Sequence, residues 1–172
     1  MLFHRRSMVA TMLCVWTLGA SANTFYLVRH AEKQPVGADP ALTECGQARA
    51  QALAAYLAEV KLEAVYATGY QRTQQTAAAV AQSQQLKVSL YDPRDTEALL
   101  QQLAGHSQPV LIVGHSNTIP ALVTRLSDIT MAPLDEQDYS MLYRVDNSAQ
   151  SPTVTLLRQA FSCKSVEQTK LL

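Results

Sequence analysis

Short apolar runs alternate with helical patterns along most of this chain, and that alternation constrains its fold more than any other feature. Four runs are short enough, and rich enough in aliphatic or aromatic side chains, to be buried strands, and they cover 25–28, 62–67, 87–91 and 110–113. Strands that alternate with crossover helices predict a mainly parallel sheet with helices on both faces. We therefore expect an α/β domain in three layers.

The helical intervals have recognisable ends. Thr43 is the expected N-cap of a first helix that runs to about residue 60, and a second helix is expected over 71–84. Asp92 and Pro93 are expected to start a third helix, as its cap and its first residue, and Gly105 to end it. The remaining expected elements are a helix that follows 114–117 and ends near 128, and two strands, at 141–145 and 153–157, that pair antiparallel.

The first 22 residues have the three-part pattern of a secretory signal peptide. A cationic start with Arg5 and Arg6 precedes an apolar run over 8–20, and the small residues of a cleavage site follow. The apolar run is shorter than the roughly 18–20 residues that a membrane span needs. We therefore expect cleavage after Ala22, no membrane anchor afterwards, and one soluble domain over 23–172 in the periplasm or outside the cell.

Removal of this leader changes the charge and the cysteine content of the chain. The full chain has 14 basic and 14 acidic residues, and loss of Arg5 and Arg6 leaves 12 basic residues and a net charge of −2. A broad nucleic-acid surface would need an excess of basic residues, so no nucleic-acid partner is expected. Two cysteines remain, Cys45 and Cys163, and the sequence leaves open whether they form a disulfide or stay free.

Polar residues follow each of the four expected strands. Arg29 and His30 follow the first strand, Arg72 opens the helix after the second, and Asp92 and His115 follow the third and fourth. Because ligands of open α/β sheets bind at the carboxyl ends of the strands, these side chains should meet there. Two guanidinium groups beside helix N-termini suit a phosphate dianion. A zinc site on the two histidines is the rival interpretation, but the arginines would repel a cation, so no metal is expected.

Three motifs around these residues resemble those of the histidine phosphatase superfamily, which has the phosphoglycerate mutase-like fold. They are LVRHAEK with Arg29 and His30, TGYQRTQQTA with Arg72, and VGHSNT with His115. The resemblance implies a phosphatase that needs neither metal nor another cofactor, in which His30 attacks phosphorus and becomes a transient phosphohistidine that water hydrolyses. It also implies that Arg29, Arg72 and His115 hold the phosphoryl oxygens.

Two residues are candidates for the general acid that protonates the leaving group, and a third possibility is that there is none. Asp92 stands after the third strand, where the mutase-like branch commonly has a glutamate, although it is also the expected helix cap. Glu32 follows the nucleophile closely, or pairs with an arginine instead. Ser116 replaces an aspartate that is typical of the acid phosphatase branch, which argues against that branch. Asn117 either binds phosphate or caps the following helix.

The expected substrate is a small-molecule or glycan phosphomonoester, and a phosphorylated envelope sugar is a hypothesis from location alone. The chain has no room for an inserted cap domain, so the segments 31–42 and 128–140 are expected to select the substrate. Two alternatives remain open. One is a phosphate-binding protein that has lost catalysis, and the other is a phosphohistidine phosphatase, whose leaving group needs little protonation. A mutase is disfavoured because export separates it from cytosolic glycolytic substrates.

Overall fold

The computed structural model describes residues 23–147 and 151–163, and the expected signal peptide at 1–22 lies outside them. Within these ranges, every helix is too short or too polar to traverse a lipid bilayer. In chain order the elements are β1 (Asn23–Arg29), α1 (Glu44–Tyr56), β2 (Ala64–Thr68), α2 (Gln71–Ser83), β3 (Val88–Tyr91), α3 (Thr96–Leu103), β4 (Val110–Gly114), α4 (Thr118–Ser127), β5 (Met141–Asn147) and β6 (Thr153–Arg158).

The strands form one six-stranded sheet in the order β3-β2-β4-β1-β5-β6. The four strands from β3 to β1 are parallel, whereas β5 pairs antiparallel with β1 and β6 pairs antiparallel with β5. The predicted mainly parallel sheet and the antiparallel final pair are confirmed. In the register, Arg29 lies opposite Gly114 and Thr68 lies opposite Tyr91, so the carboxyl ends of these strands lie at one edge.

Alternating residues of the central strands face two separate apolar cores. On β1, Tyr26 and Val28 contribute to one core, and Phe25 and Leu27 contribute to the other. The first core is completed by apolar side chains of α1 and α2, including Leu53, Ala54 and Val80. The second is completed by side chains of α3 and α4, including Leu99, Leu103 and Ile119. The sheet is therefore the middle of three layers, as the sequence predicts.

The third helix begins later than the sequence predicts. Its N-cap is Asp95, whose side chain accepts a hydrogen bond from Ala98 N, and Asp92 and Pro93 precede it as part of a turn. The physical reason is local competition, because the Asp92 carboxylate accepts bonds from the backbone N and the guanidinium of Arg94. The first helix also ends early, at Tyr56, while its predicted cap by Thr43 is confirmed by a 3.0 Å bond from Gly46 N.

The first turn of α1 lies unusually close to the loop that follows β1. A Cβ atom on Gly46 would lie 2.1 Å from the carbonyl oxygen of Glu32. The same carbonyl accepts a hydrogen bond from Thr43 N at 2.9 Å, which fixes the helix start against the loop. Because the atom in the way belongs to the backbone, no side-chain rotation can relieve the contact. Glycine is therefore required here for helix-to-loop packing.

We predict that Gly46→Ala destabilises the protein, although alanine is the better helix former. The clash should cost about 3 kcal/mol, the upper part of the range for overpacking, and so exceed the gain of about 1 kcal/mol from helix propensity. Urea unfolding followed by circular dichroism measures the difference. Gly69→Ala is the matched control, because a Cβ atom there meets nothing within 4 Å. Equal stability of the two variants would contradict the packing argument.

Cys45 and Cys163 form a disulfide that joins α1 to the segment after β6, with their Cα atoms 5.5 Å apart. The two residues are separated by 118 positions, so the bond closes most of the described chain into one loop. A cross-link over so long a loop lowers the conformational entropy of the unfolded chain. The question that the sequence leaves open is thus answered in favour of a disulfide.

Replacement of both cysteines by serine should lower the free energy of unfolding by about 2–4 kcal/mol, as is typical for a native disulfide. Thermal unfolding with and without a reducing agent measures this effect. Reduction should shift the wild-type midpoint down and leave the double variant unchanged. A wild-type midpoint that does not respond to reductant would show that the cross-link contributes no stability.

Candidate active site

Four predicted residues line one cleft at the carboxyl edge of the sheet. Arg29 ends β1, His30 follows it, Arg72 is the second residue of α2, and His115 follows β4. His30 N continues the parallel pairing with a 3.0 Å bond to the carbonyl oxygen of Gly114, so the two histidines are placed by adjacent strands. The cleft has a volume of about 460 Å³. Its other lining residues are Lys33, Tyr70, Pro93, Arg94, Ser116, Asn117, Thr118 and Glu136.

His30 is held as a neutral imidazole with a defined tautomer. Its Nδ1 lies 2.8 Å from the carbonyl oxygen of Ala31, and because a carbonyl only accepts, Nδ1 must carry the proton. This leaves a lone pair on Nε2. Burial, with the positive charges of Arg29 and Arg72 nearby, lowers the pKa of His30 to about 3. An unprotonated Nε2 near neutral pH is the form that can act as a nucleophile.

His115 lies beside His30, with the two ring centroids 5.5 Å apart. Its Nε2 is 3.0 Å from the hydroxyl oxygen of Thr68, and its backbone N donates to Thr118 Oγ1 at 3.0 Å. The ring of Tyr70 contacts it edge-on at 5.2 Å. Burial, with the charge of Arg72, lowers the pKa of His115 to about 4. In the free protein the imidazole is therefore a neutral donor or acceptor.

Arg29 is almost completely buried, with 2% of its surface exposed. Its guanidinium donates to the carbonyl oxygen of Asp135 at 2.9 Å and to the Glu136 carboxylate at 2.8 Å, and it stacks 4.3 Å above the ring of Tyr139. These contacts fix the segment 135–139 over the end of β1. Sequence reasoning assigned 128–140 to substrate selection but missed Glu136 and Tyr139, because this segment has no periodic pattern or motif.

Arg72 is positioned from the other side of the cleft. Its guanidinium lies 3.6 Å from the Asp39 carboxylate and 4.4 Å above the ring of Tyr70. Asp39 also accepts a hydrogen bond from Gln71 N at 2.9 Å, which joins the loop 31–42 to the N-terminus of α2. Among the described residues, the Nε atoms of Arg29 and Arg72 are buried without a hydrogen-bond partner. An oxyanion bound in the cleft that both side chains line has the charge to accept from such donors.

The structure places neither candidate general acid in the cleft. Asp92 lines an adjoining pocket, and its carboxylate accepts a hydrogen bond from the guanidinium of Arg94. That hydrogen bond lowers the pKa of Asp92 to about 2. Glu32 instead pairs with Arg49, which donates to both of its carboxylate oxygens at 2.7–3.0 Å. Asn117 lines the cleft, and although it occupies the N-cap position of α4, its side chain makes no capping bond.

Among the described residues, one group has the spacing of a metal site, and it consists of Glu32, Cys45 and Cys163. The two cysteines are joined to each other, so neither offers a thiolate. Among the described residues, the cleft combines three arginines and a lysine with two neutral histidines and a single carboxylate, that of Glu136. Such a set can hold a phosphoryl group and present a nucleophilic nitrogen to it.

Stability should fall in acid because both cleft histidines are held neutral. The folded protein lowers their pKa values to about 3 and about 4, whereas the unfolded chain protonates both near the ordinary value of about 6.5. As the pH falls from 6.5 towards 4, the unfolded state therefore binds more protons than the folded state. Each histidine then lowers the free energy of unfolding by up to about 1.4 kcal/mol per pH unit. In urea unfolding without phosphate, His30→Asn should make the free energy of unfolding depend less steeply on pH. Parallel pH curves for wild type and variant would contradict the assignment.

Comparisons with known proteins agree with this geometry. The model of the histidine phosphatase superfamily (branch 1) matches residues 25–94. No curated protein matches the chain. The chain is similar in structure to the protein histidine phosphatase SixA complexed with tungstate, at 20% identity over 79% of this chain and 97% of that one, with a TM-score of 0.66.

Two further solved structures show the same fold. A putative alpha-ribazole-5'-P phosphatase from Escherichia coli is 20% identical, over 80% of this chain and 97% of that one, with a TM-score of 0.67. A mycobacterial glucosyl-3-phosphoglycerate phosphatase is 15% identical, over 81% of this chain and all (100%) of that one, with a TM-score of 0.62. At these identities the likeness establishes the fold alone.

Proposed function

We propose that this chain is a member of the histidine phosphatase superfamily and hydrolyses phosphomonoesters through a phosphohistidine on His30, without a metal ion. The observation that carries the proposal is the convergence of Arg29, His30, Arg72 and His115 on one cleft. The four residues come from three separate places in the chain, and only the folded sheet edge brings them together.

The geometry supports a two-step reaction. The lone pair on Nε2 of His30 attacks phosphorus while the Ala31 carbonyl holds the proton on Nδ1, so the ring needs no separate base. Arg29 and Arg72 bind the phosphoryl oxygens and stabilise negative charge on them in the transition state. His115 lies beside the nucleophile, and a dianion bound in the cleft would favour the protonated, positively charged form of its imidazole. Water then hydrolyses the phosphohistidine and restores the neutral imidazole.

Two alternatives differ in what happens after binding. A phosphate-binding protein without catalysis would need the same cationic cleft but no reactive imidazole, and the neutral His30 favours the enzyme. A phosphohistidine phosphatase would use the same residues on a substrate whose leaving imidazole needs little protonation. That second alternative is favoured by the positions of Asp92 and Glu32 outside the cleft, and leaving-group dependence distinguishes it from a general phosphomonoesterase.

We also propose that the protein acts in the periplasm or outside the cell, on a small-molecule or glycan phosphomonoester. The signal-peptide pattern in 1–22 supports export. The disulfide between Cys45 and Cys163 supports an oxidising compartment, because such bonds rarely persist in the cytosol. A phosphorylated envelope sugar fits that location and is the first natural substrate class to test.

The decisive experiment is hydrolysis of an aryl phosphate in EDTA by wild type and His30→Ala. The full chain is expressed in a bacterial host and purified from the periplasmic fraction, and its N-terminus shows whether cleavage follows Ala22. Wild-type activity should survive EDTA, and His30→Ala should lose on the order of 10⁴-fold in kcat, as expected for loss of a nucleophile. Acid-labile phosphate should be trapped on wild type only.

The matched control is His106→Ala, which removes a histidine outside the cleft that contacts Glu63 and Tyr66. This variant should keep wild-type turnover. A wild type that binds phosphate but does not turn over any aryl ester would support the binding-protein alternative. Activity that EDTA abolishes would overturn the metal-free mechanism.

A further inference from the structure

One carboxylate lines the cleft among the described residues, and it belongs to Glu136. We propose that Glu136 is the general acid that protonates the leaving oxygen, and that its carboxylate is then the general base for the water that hydrolyses the phosphohistidine. This inference rests on the proposed phosphatase function. It assigns the proton-transfer role to a residue that the sequence motifs do not contain.

The position of Glu136 suits that role. Its Oε2 lies 2.8 Å from Nη2 of Arg29, and its Oε1 accepts a hydrogen bond from Ser116 Oγ at 2.6 Å. The carboxylate therefore bridges the buried arginine and Ser116, the residue that follows the second histidine. Its side chain is 72% exposed, which places it at the open side of the cleft. A leaving alcohol that departs towards solvent passes this side.

The backbone around Glu136 is fixed well enough to position a catalytic group. Arg29 donates to the carbonyl oxygens of Asp135 and Asp138 and stacks on Tyr139, so contacts on both sides of Glu136 hold the segment. The hydrogen bond from Leu134 N to the carbonyl oxygen of Ser116 adds a further attachment. Proton transfer requires hydrogen-bond reach, and a tethered segment maintains it better than a free loop.

The other acidic residues near the cleft are committed elsewhere. Glu32 is bound by Arg49 through two oxygens, and Asp92 is bound by Arg94. Asp39 accepts from Gln71 N and faces Arg72. None of these three carboxylates lines the cleft, although Asp39 faces an arginine that binds phosphate in the proposed reaction. Glu136, in contrast, lines the cleft and is bound directly to a guanidinium that a phosphoryl group would also contact.

Substrate binding should therefore change the proton affinity of Glu136. In the free protein, hydrogen bonds from Ser116 and Arg29 and the nearby charges keep its pKa below the ordinary value. A phosphoryl dianion that takes over Arg29 removes one partner and adds negative charge, and both changes favour the protonated acid. The proton comes from solvent or from the monoanionic form of the substrate, whose second pKa is about 6.

Glu136 takes part in both steps of the reaction, and the bonds and protons balance in each. In the first, Nε2 of His30 forms a bond to phosphorus, the P–O bond to the alcohol breaks, and the Glu136 carboxyl gives its proton to the departing oxygen. In the second, a water oxygen forms the new P–O bond, the N–P bond breaks, and the carboxylate of Glu136 takes the proton from water. Inorganic phosphate leaves, and both residues return to their starting protonation states.

The test is the leaving-group dependence of kcat/KM in wild type and Glu136→Gln. Glutamine keeps the size and hydrogen-bonding reach of the side chain but cannot donate an acidic proton. For an alkyl phosphate such as glycerol phosphate, kcat/KM should fall by about 10²–10³-fold, as for loss of a general acid. For 4-nitrophenyl phosphate, whose leaving group needs little help, it should change by less than about threefold. Slower hydrolysis of the phosphohistidine should also produce a burst of nitrophenol.

Asp92→Asn is the matched control, since it removes a carboxylate from the adjoining pocket, and it should leave both kcat/KM values unchanged. Three outcomes would overturn the assignment to Glu136. They are equal losses on both substrates, a tighter affinity for inorganic phosphate with no leaving-group effect, and a selective loss in Asp92→Asn instead. Each leaves aryl phosphate turnover by wild type intact, whereas failure of the proposed function itself would abolish that turnover.

Discussion

The site depends on the contacts that the buried guanidinium of Arg29 makes. It sits at the end of β1, where the backbone is fixed by pairing with β4 on one side and β5 on the other. A charge with only 2% exposure is expensive to bury unless it is paired and hydrogen-bonded. Asp135, Asp138 and Glu136 supply those partners. The segment 135–139 is therefore held by the same group that is expected to bind phosphate.

The charges around the cleft favour the binding of a phosphate dianion over the protonation of its two histidines. The positive charges of Arg29 and Arg72 act together with burial to keep His30 and His115 neutral. A phosphate dianion can satisfy the arginines, whereas a protonated histidine would repel them. The same charges that attract the phosphoryl group thus keep the nucleophile in its reactive form, and both effects follow from placing two histidines and two arginines at one sheet edge.

The sequence predicts the part of the site that regular structure positions. The sequence places Arg29, His30 and His115 together because parallel strands end at one edge, and it places Arg72 there because α2 starts where β2 ends. Glu136 could not be predicted, since its place depends on contacts between Arg29 and residues more than a hundred positions away. The start of α3 was misplaced because Arg94 competes for the carboxylate of Asp92, which capping rules do not consider.

Arg29 donates hydrogen bonds to two kinds of acceptor in the segment 135–139. The difference between them bears on how substrate preference can change. Asp135 and Asp138 offer backbone carbonyl oxygens, which any residue at those positions would also provide. The bonds to Arg29 at these two positions therefore do not depend on the side chain, whereas Glu136 contributes through its own carboxylate. Within these five residues, some positions thus keep their contact with the catalytic arginine when the side chain changes, and one does not. This arrangement suits the evolution or redesign of specificity.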